Sequence, residues 1–364
     1  MEDHKFPYKW LLSDCFPAKG IEHHKKTVFS CFSCGGGSTM GYKSAGYKVI
    51  GCNEIDPKMM KCYVNNFHPK YSFLESIQTF KLREDLPKEL YNLDILDGSP
   101  PCSSFSMAGN REKDWGKEKK FREGQQKQVL DTLFFDFIDL AKKLQPKIVV
   151  AENVKGLLQG STMTYQVNYV DRIYKEFDKA GYVCQHWLLD ASKMGVPQKR
   201  ERVFFIAMRK DLVSQFAVQK GFFDTVPKLE LKFNEKPILF KEVDENKKSN
   251  IKINNSYLTL WHLCKPGNSF STVHPKKHYF GETKMDRNII PCTIIGNQSG
   301  SHLWHDIYPQ PLTNNEYCKC GSFPLDYNFL NQKPKYLIGM SVPPVMMANI
   351  ANQIYLQWLS KIKK

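Results

Sequence analysis

The 364-residue chain contains no apolar run approaching the ~20 residues that span a bilayer. Its opening stretch, "MEDHKFPYKWLLSDCFPAKG", starts with acids and lacks the apolar core of a secretory signal. These absences argue against a membrane or secreted protein and predict an intracellular, cytoplasmic one. There is no internal repeat and no long low-complexity tract, so a solenoid or array is excluded. A disulfide framework is missing too, because the 11 cysteines are odd in number and scattered, as expected of buried thiols in a reducing compartment. Cys31 and Cys34 form a CxxC, but the only partner pair is the tight "CKC" of Cys318 and Cys320. Three glycines follow Cys34 where a thioredoxin-like pair would lead straight into a helix. Buried structural thiols fit better than zinc or redox chemistry. Acids are scarce as well, 37 against 52 lysines and arginines, and the net charge of +15 favours a polyanionic partner. A solvated lysine-rich surface is the plain alternative.

A hydrophobic content of 41% is enough for a sizeable core. From Thr27 onward, strand-like and helix-like pieces alternate: "TVFSCFS", "STMGYKSAG", "YKVIGCNEI", "DPKMMKCYVNNF" and "LDILDGS". Val129, Leu133, Phe137, Leu140 and Leu144 then recur at helical spacing, and "KIVVAENV", "YQVNYVDRIYKEFDKAG", "YVCQHWLLDA" and "RVFFIAM" complete the run. Such alternation predicts an α/β fold, a doubly wound and mainly parallel sheet with ligands beyond the carboxyl ends of its strands. The rhythm breaks after Arg209. The lysine-rich segment 210–290, with "ENKKSNIKINN" and "HPKKHYF", is expected to form a smaller second domain reaching at most to about 330. Residues 1–26 form an extension, 27–209 the main domain, and 331–364 a segment packing back onto it.

Individual residues carry chemical signals of unequal strength. Glycines after the first strand let the backbone approach a ligand at a helix N-terminus, although the pattern is not GxGxxG. Glu54, closing the second strand, suits ribose hydroxyls. Pro100 and Pro101 stiffen a turn that presents Cys102, which on local grounds alone is a nucleophile, a redox or metal residue, or a small turn residue. Glu152 ends an apolar strand, where a partly desolvated carboxyl group can give or share a proton. Arg200 and Arg202 alternate before the next strand, as expected for grasping phosphate or a base oxygen, with surface ion pairs as the plain alternative.

The order of these signals is more specific than any one of them. "FSCGGGSTMGYKSAGY", "NEID", "GSPPCSSFS", "TLFFDFI", "AENVKG", "MGVPQKRER", "RNIIPCTI", "PLTNNEY" with "GSFP", and "YLIGMSVPP" succeed one another as do the motifs of the cytosine-5 DNA methyltransferases. The chain resembles that family over nearly its whole length, apart from residues 1–26 and the variable basic region. It departs from the family pattern at Cys34, at Ser76 beside Glu75, and at Met340.

The resemblance implies a Rossmann-like methyltransferase fold with a target-recognition domain. It implies a restriction–modification type enzyme that moves a methyl group from S-adenosylmethionine, leaving S-adenosylhomocysteine, to carbon 5 of a flipped cytosine. Cys102 would be the nucleophile, with Glu152, Arg202 and Arg200 completing the catalytic set. Phe32, Gly36, Gly37, Glu54, Ile55, Ser76, Ile77, Pro100, Ser341 and Val342 would hold the cofactor. Ser104, Arg111, Gln198, Arg200 and Arg202 would touch nucleic acid, and residues 107–125 would form a mobile closing loop. Double-stranded DNA is the expected partner, with a cognate endonuclease acting separately on the same site, no metal, no membrane, and a monomeric enzyme. The alternatives are a tRNA-directed enzyme of the same fold and a non-catalytic DNA-binding relative.

Overall fold

A computed structural model describes residues 4–14, 16–101, 118–119, 128–129, 132–159, 169–220, 224–248, 252–297 and 302–362. Its centre is a seven-stranded sheet. The strands are β1 (Thr27–Cys31), β2 (Lys48–Glu54), β3 (Tyr71–Leu74), β4 (Ile95–Gly98), β7 (Ile148–Val154), β8 (Tyr182–Asp190) and β9 (Glu201–Arg209). A separate two-residue pair joins β5 (Glu118–Lys119) to β6 (Gln128–Val129). The order across the sheet is β3-β2-β1-β4-β7-β9-β8. Strands β3 to β7 are parallel, while β9 runs antiparallel to both its neighbours. The mainly parallel, doubly wound sheet expected from the alternation is therefore present. The one reversed strand follows from the short 191–200 connection, which has no room for a crossover helix.

Both faces are apolar because alternate residues of each strand point opposite ways. Val28, Ile95, Val150 and Phe204 enter one core with α1 (Gly37–Ser44) and α11 (Pro344–Ile354). Phe29, Leu96, Val149 and Phe205 enter the other, against α3 (Ile77–Phe80), α4 (Leu133–Leu144) and α5 (Tyr169–Lys179). α2 (Pro57–Phe67) starts as its sequence dictates: the Asp56 carboxylate accepts from the N–H groups of Lys58 and Met59, and Pro57 holds the first position. The helix marked by leucine and phenylalanine spacing begins at Leu133, whereas Val129, expected in it, lies in β6.

The segment after β9 divides by packing. α6 (Lys210–Val213) leads into the hairpin β10 (Ala217–Lys220) and β11 (Asp224–Pro227), and Leu212, Val213, Leu229 and Leu231 join the main core beside α11. Beyond them come α7 (Phe240–Val243) and α8 (Asn255–Leu263). Leu260, Trp261, Cys264, Phe270 and Trp304 make a small core of their own. The parallel pair β12 (Thr283–Lys284) and β13 (Leu303–Trp304) closes it. The chain returns through α9 (Asn314–Cys320) and α10 (Pro334–Met340) to α11, which continues into a π-helical turn, Tyr355–Leu359. The segment before β1 packs on this body: Phe6 is fully buried, the Trp10 indole donates to the Ser322 carbonyl, and the Ala18 and His24 N–H groups donate to the carbonyls of Ser44 and Gly46.

Candidate active site

Four strands place polar side chains one step beyond their apolar residues on the α1 face. The alternation that buries Val28, Ile95, Val150 and Phe204 there carries Ser30, Asp97, Glu152 and Arg202 to the same side. Glu152 is opposite Phe204 in the ladder, and Arg202 is its diagonal neighbour. The Arg202 Nε lies 3.0 Å from Glu152 Oε1. Burial lowers the pKa of Arg202, while the Glu152 carboxylate acts against that shift. A carboxylate held by a guanidinium at a strand end has its orientation fixed. Asn153 ties this strand to the cysteine turn, since its Nδ2 donates to the Pro100 carbonyl at 3.0 Å. Cys102, Ser104, Arg111 and most of the 107–125 loop lie outside the described residues.

Asp97, not anticipated as a site residue, is fully buried behind this pair. Ser30 Oγ donates to its Oδ2 at 2.8 Å and the Tyr42 hydroxyl to its Oδ1 at 3.2 Å. Burial pushes the carboxyl up to about 7; the two hydroxyls oppose the shift and nearby Glu152 adds to it. The signal was visible, because an acid between Leu96 and Gly98 in a strand buried throughout needs partners. What the sequence did not show was that Ser30 and Tyr42 are those partners.

The glycine turn serves packing first. A Cβ on Gly36 would sit 2.2 Å from the Phe67 ring, and one on Gly37 only 2.1 Å from the Val342 carbonyl. Gly36 also has φ +80°, which favours glycine. Gly37 thus meets Ser341 and Val342, expected at the same site from the far end of the chain. The N-cap of α1 is Gly36, which has no side chain to cap the first-turn N–H groups. Glu54 is set at the end of β2, where its two oxygens accept the N–H groups of Cys34 at 2.8 Å and Asp56 at 2.9 Å. Phe32, half-buried, meets the Phe137 ring edge-on, and Ile55 is half-buried beside Glu54. An uncapped helix N-terminus and a braced carboxylate at adjacent strand ends fit the carboxylate and ribose of an adenosyl amino acid.

The remaining expected residues have partners within the fold. Ser76 caps α3 through the Thr79 N–H, Glu75 pairs with Arg83 at 3.0 Å, and Ile77 is buried in the core. Arg200 is buried, with Nη1 donating to the Ile294 carbonyl and Nη2 to those of Gly339 and Ser341. Gln198 is buried between the Cys320 carbonyl and the Ile294 N–H. In this arrangement both join chain segments instead of facing solvent. Cys31, Cys34, Cys318 and Cys320 are buried and none is in a disulfide, and burial pushes the thiols of Cys31, Cys318 and Cys320 up. Asp244, His305 and Glu316 cluster, but His305 donates from Nε2 to Asp244 and accepts the N–H groups of Ile307 and Tyr308 at Nδ1. With both ring nitrogens engaged, the cluster is a structural polar node.

Sheet order and the reversed strand define a Rossmann-like fold, with a row of polar side chains gathered at its strand ends. Residues 26–356 match the family described as C-5 cytosine-specific DNA methylase, and the chain belongs to that family. It is 36% identical over 190 residues to the type II methyltransferase M.FnuDI of Fusobacterium nucleatum, a match covering 52% of this chain and 49% of the relative. Against the type II methyltransferase M.DdeI of Desulfomicrobium norvegicum, identity is 26% over 380 residues, covering 90% and 88%. Among solved structures, a DNA modification methyltransferase encoded within an E. coli prophage gives a TM-score of 0.67 at 19% identity, covering 93% of this chain and 100% of that one. The Dnmt2 methyltransferase of S. pombe gives 0.59 at 14% identity, covering 92% and 99%. At these identities the two structures establish the shared fold. Among the described residues, no helix is long and apolar enough to cross a membrane.

Proposed function

We propose that this chain is a type II modification enzyme that methylates carbon 5 of a flipped cytosine in duplex DNA, acting as a monomer in the cytoplasm. A cognate endonuclease would act separately on the same sequence. The observation that carries the reading is the Glu152–Arg202 pair at 3.0 Å, joined through Asn153 to the turn that leads into Cys102. In this reading the Cys102 thiolate forms a bond to carbon 6 while the electron pair of the 5,6 double bond moves toward carbon 5. Glu152 holds ring nitrogen 3 and the exocyclic amine, which limits charge on the ring. Arg202 keeps that carboxyl group in place. S-adenosylmethionine supplies the methyl group, and the α1 N-terminus, Glu54, and the Gly37–Val342 contact are the features that would hold it. After carbon 5 is methylated, it loses its proton to a base and the thiolate leaves, restoring the aromatic ring. Because the target atoms are stacked within the duplex, the base must leave the helix to reach the pair.

The region holding the small core, about 253–304, is the target-recognition unit in this reading, while 211–231 belongs with the catalytic body. Transfer of labelled methyl from S-adenosylmethionine to duplex DNA and to tRNA, with the product hydrolysed to bases, tests the proposal. Label is expected in 5-methylcytosine from DNA. Cys102→Ala is expected to abolish it, and Glu152→Gln to lower the rate by roughly 10²–10⁴. A 5-fluorocytosine duplex should form a stable adduct with the unaltered chain and none with Cys102→Ala. Label found only in tRNA would sink the substrate; label in DNA with full activity in Cys102→Ala would sink the mechanism.

A further inference from the structure

The most exposed large apolar side chain among the described residues is Phe280, at 75%. It ends a turn, His274–Phe280, in which Pro275, Lys276, Lys277 and His278 are also exposed. One exposed apolar side chain is ordinary by itself; what sets this one apart is the turn that presents it, on a unit that buries Leu260, Trp261 and Phe270.

The turn is built rigidly. Lys277 and Tyr279 adopt left-handed backbone, φ 55° and 64°, which β-carbon-bearing residues avoid unless their surroundings enforce it. The surroundings do. The Lys277 N–H donates to the His274 carbonyl at 2.9 Å, and the Ser269 hydroxyl donates to the carbonyls of Tyr279 and Phe280 at 3.1 and 2.8 Å. Tyr279 packs edge-on against Tyr257, which stacks on Trp304 in the small core. The His274 and His278 rings stack across the turn. The main chain thus holds Phe280 outward while Tyr279 anchors the turn inward. Lys276 and Lys277 have no carboxylate within ion-pair distance among the described residues. A rigid aromatic side chain beside two unneutralised cations is complementary to a polyanion whose groove exposes apolar base edges such as the thymine methyl.

We infer that the 274–280 turn is a DNA-contacting tip in which Phe280 packs against base edges in a groove while Lys276 and Lys277 lie on flanking phosphates. The inference rests on the reading of residues 253–304 as the recognition unit for duplex DNA. Phosphate contacts add affinity without sequence information, whereas contact with a base discriminates, so the two parts of the tip have separable signatures.

The test uses the full-length chain, plasmid DNA read site by site by bisulfite sequencing, and a fluorescent mixed-sequence duplex titrated over a range of salt concentrations. Phe280→Ala is expected to lower the rate at the best sites roughly tenfold and to narrow the gap between them and sites carrying one mismatch. Phe280→Tyr, which keeps the ring, is expected to retain the unaltered pattern. Replacing Lys276 and Lys277 together by alanine should weaken binding alike on all sequences and reduce the salt slope by about 2. Unchanged thermal unfolding identifies the variants as folded, as expected for exposed positions. Unaltered rates and discrimination in Phe280→Ala overturn the proposal, even if the lysine variant still weakens binding. Gel filtration showing a dimer that Phe280→Ala converts to monomer also overturns it, assigning the tip to a second copy. Failure of the unaltered chain to methylate the plasmid overturns the reading beneath it instead.

Discussion

Asp97 shows how a single buried carboxyl group leaves a mark on the behaviour of the entire fold. Its value of about 7 is set first by burial, against an ordinary carboxylate range near 4. Between roughly pH 4 and 7 the unfolded chain has released this proton while the folded chain still holds it. The group's contribution to stability is therefore greatest in acid, falls as pH rises through that window, and is level above it. Asp97→Asn should remove this slope, on the order of a few kcal/mol, and so gain stability relative to the unaltered chain at pH 8 compared with pH 5. Urea unfolding of both proteins at several pH values measures it, and parallel pH profiles would show that Asp97 is not the source. Glu152 and Arg202 were legible at this scale because strand-end carboxylates and arginines stand out from apolar runs. Asp97 was legible only as an anomaly, since its partner Tyr42 lies on α1, 55 positions away.

Elements meet at Arg200. Its guanidinium joins the loop before β9 to Ile294, Gly339 and Ser341, so three segments far apart in sequence converge on one side chain. The sequence expectation placed Arg200 among catalytic and nucleic-acid-binding residues, and the geometry presents it as a clamp on the segment around Gly339 and Ser341. Removing it leaves buried carbonyls without donors. Arg200→Ala is expected to cost about 3 kcal/mol or more, and Arg200→Lys to recover little, because an ammonium lacks the planar fork. Thermal unfolding measures this. A normal midpoint with lost DNA binding would return Arg200 to the nucleic-acid surface. The glycine turn teaches the same lesson: its motif is obvious in the chain, but the reason Gly37 tolerates no side chain is the Val342 carbonyl 2.1 Å from a Cβ there.

Across the molecule, residues before Thr27 are more than an appendage. The family match begins at residue 26, yet Phe6 is 1% exposed in the core shared by β1 and α11. The Trp10 indole and the Asp326 carboxylate, which accepts the Ser13 N–H at 3.0 Å, fasten the rest. Phe6→Ala is expected to cost about 3–5 kcal/mol and lower the unfolding midpoint. Methyl transfer per folded molecule at low temperature should stay unchanged. An unshifted midpoint would mean this segment does not dock in solution.

The sequence by itself determined the alternation of strands and helices, the mainly parallel sheet, the family, and the presence of Glu152 and Arg202 near a strand's end. These are local or nearly local properties, written in the period of apolar residues and in motif order. Only the tertiary structure decided that Arg200 and Gln198 turn inward, that Leu212, Val213, Leu229 and Leu231 pack into the main core, and that Ser30 and Tyr42 hold Asp97. It also decided that Val129 stays outside α4 and that Phe280 is held outward on a braced turn. Those outcomes depend on which surfaces meet across hundreds of residues. Whether a polar group faces solvent or a carbonyl is settled by that meeting, since a buried donor must find its acceptor wherever the chain returns.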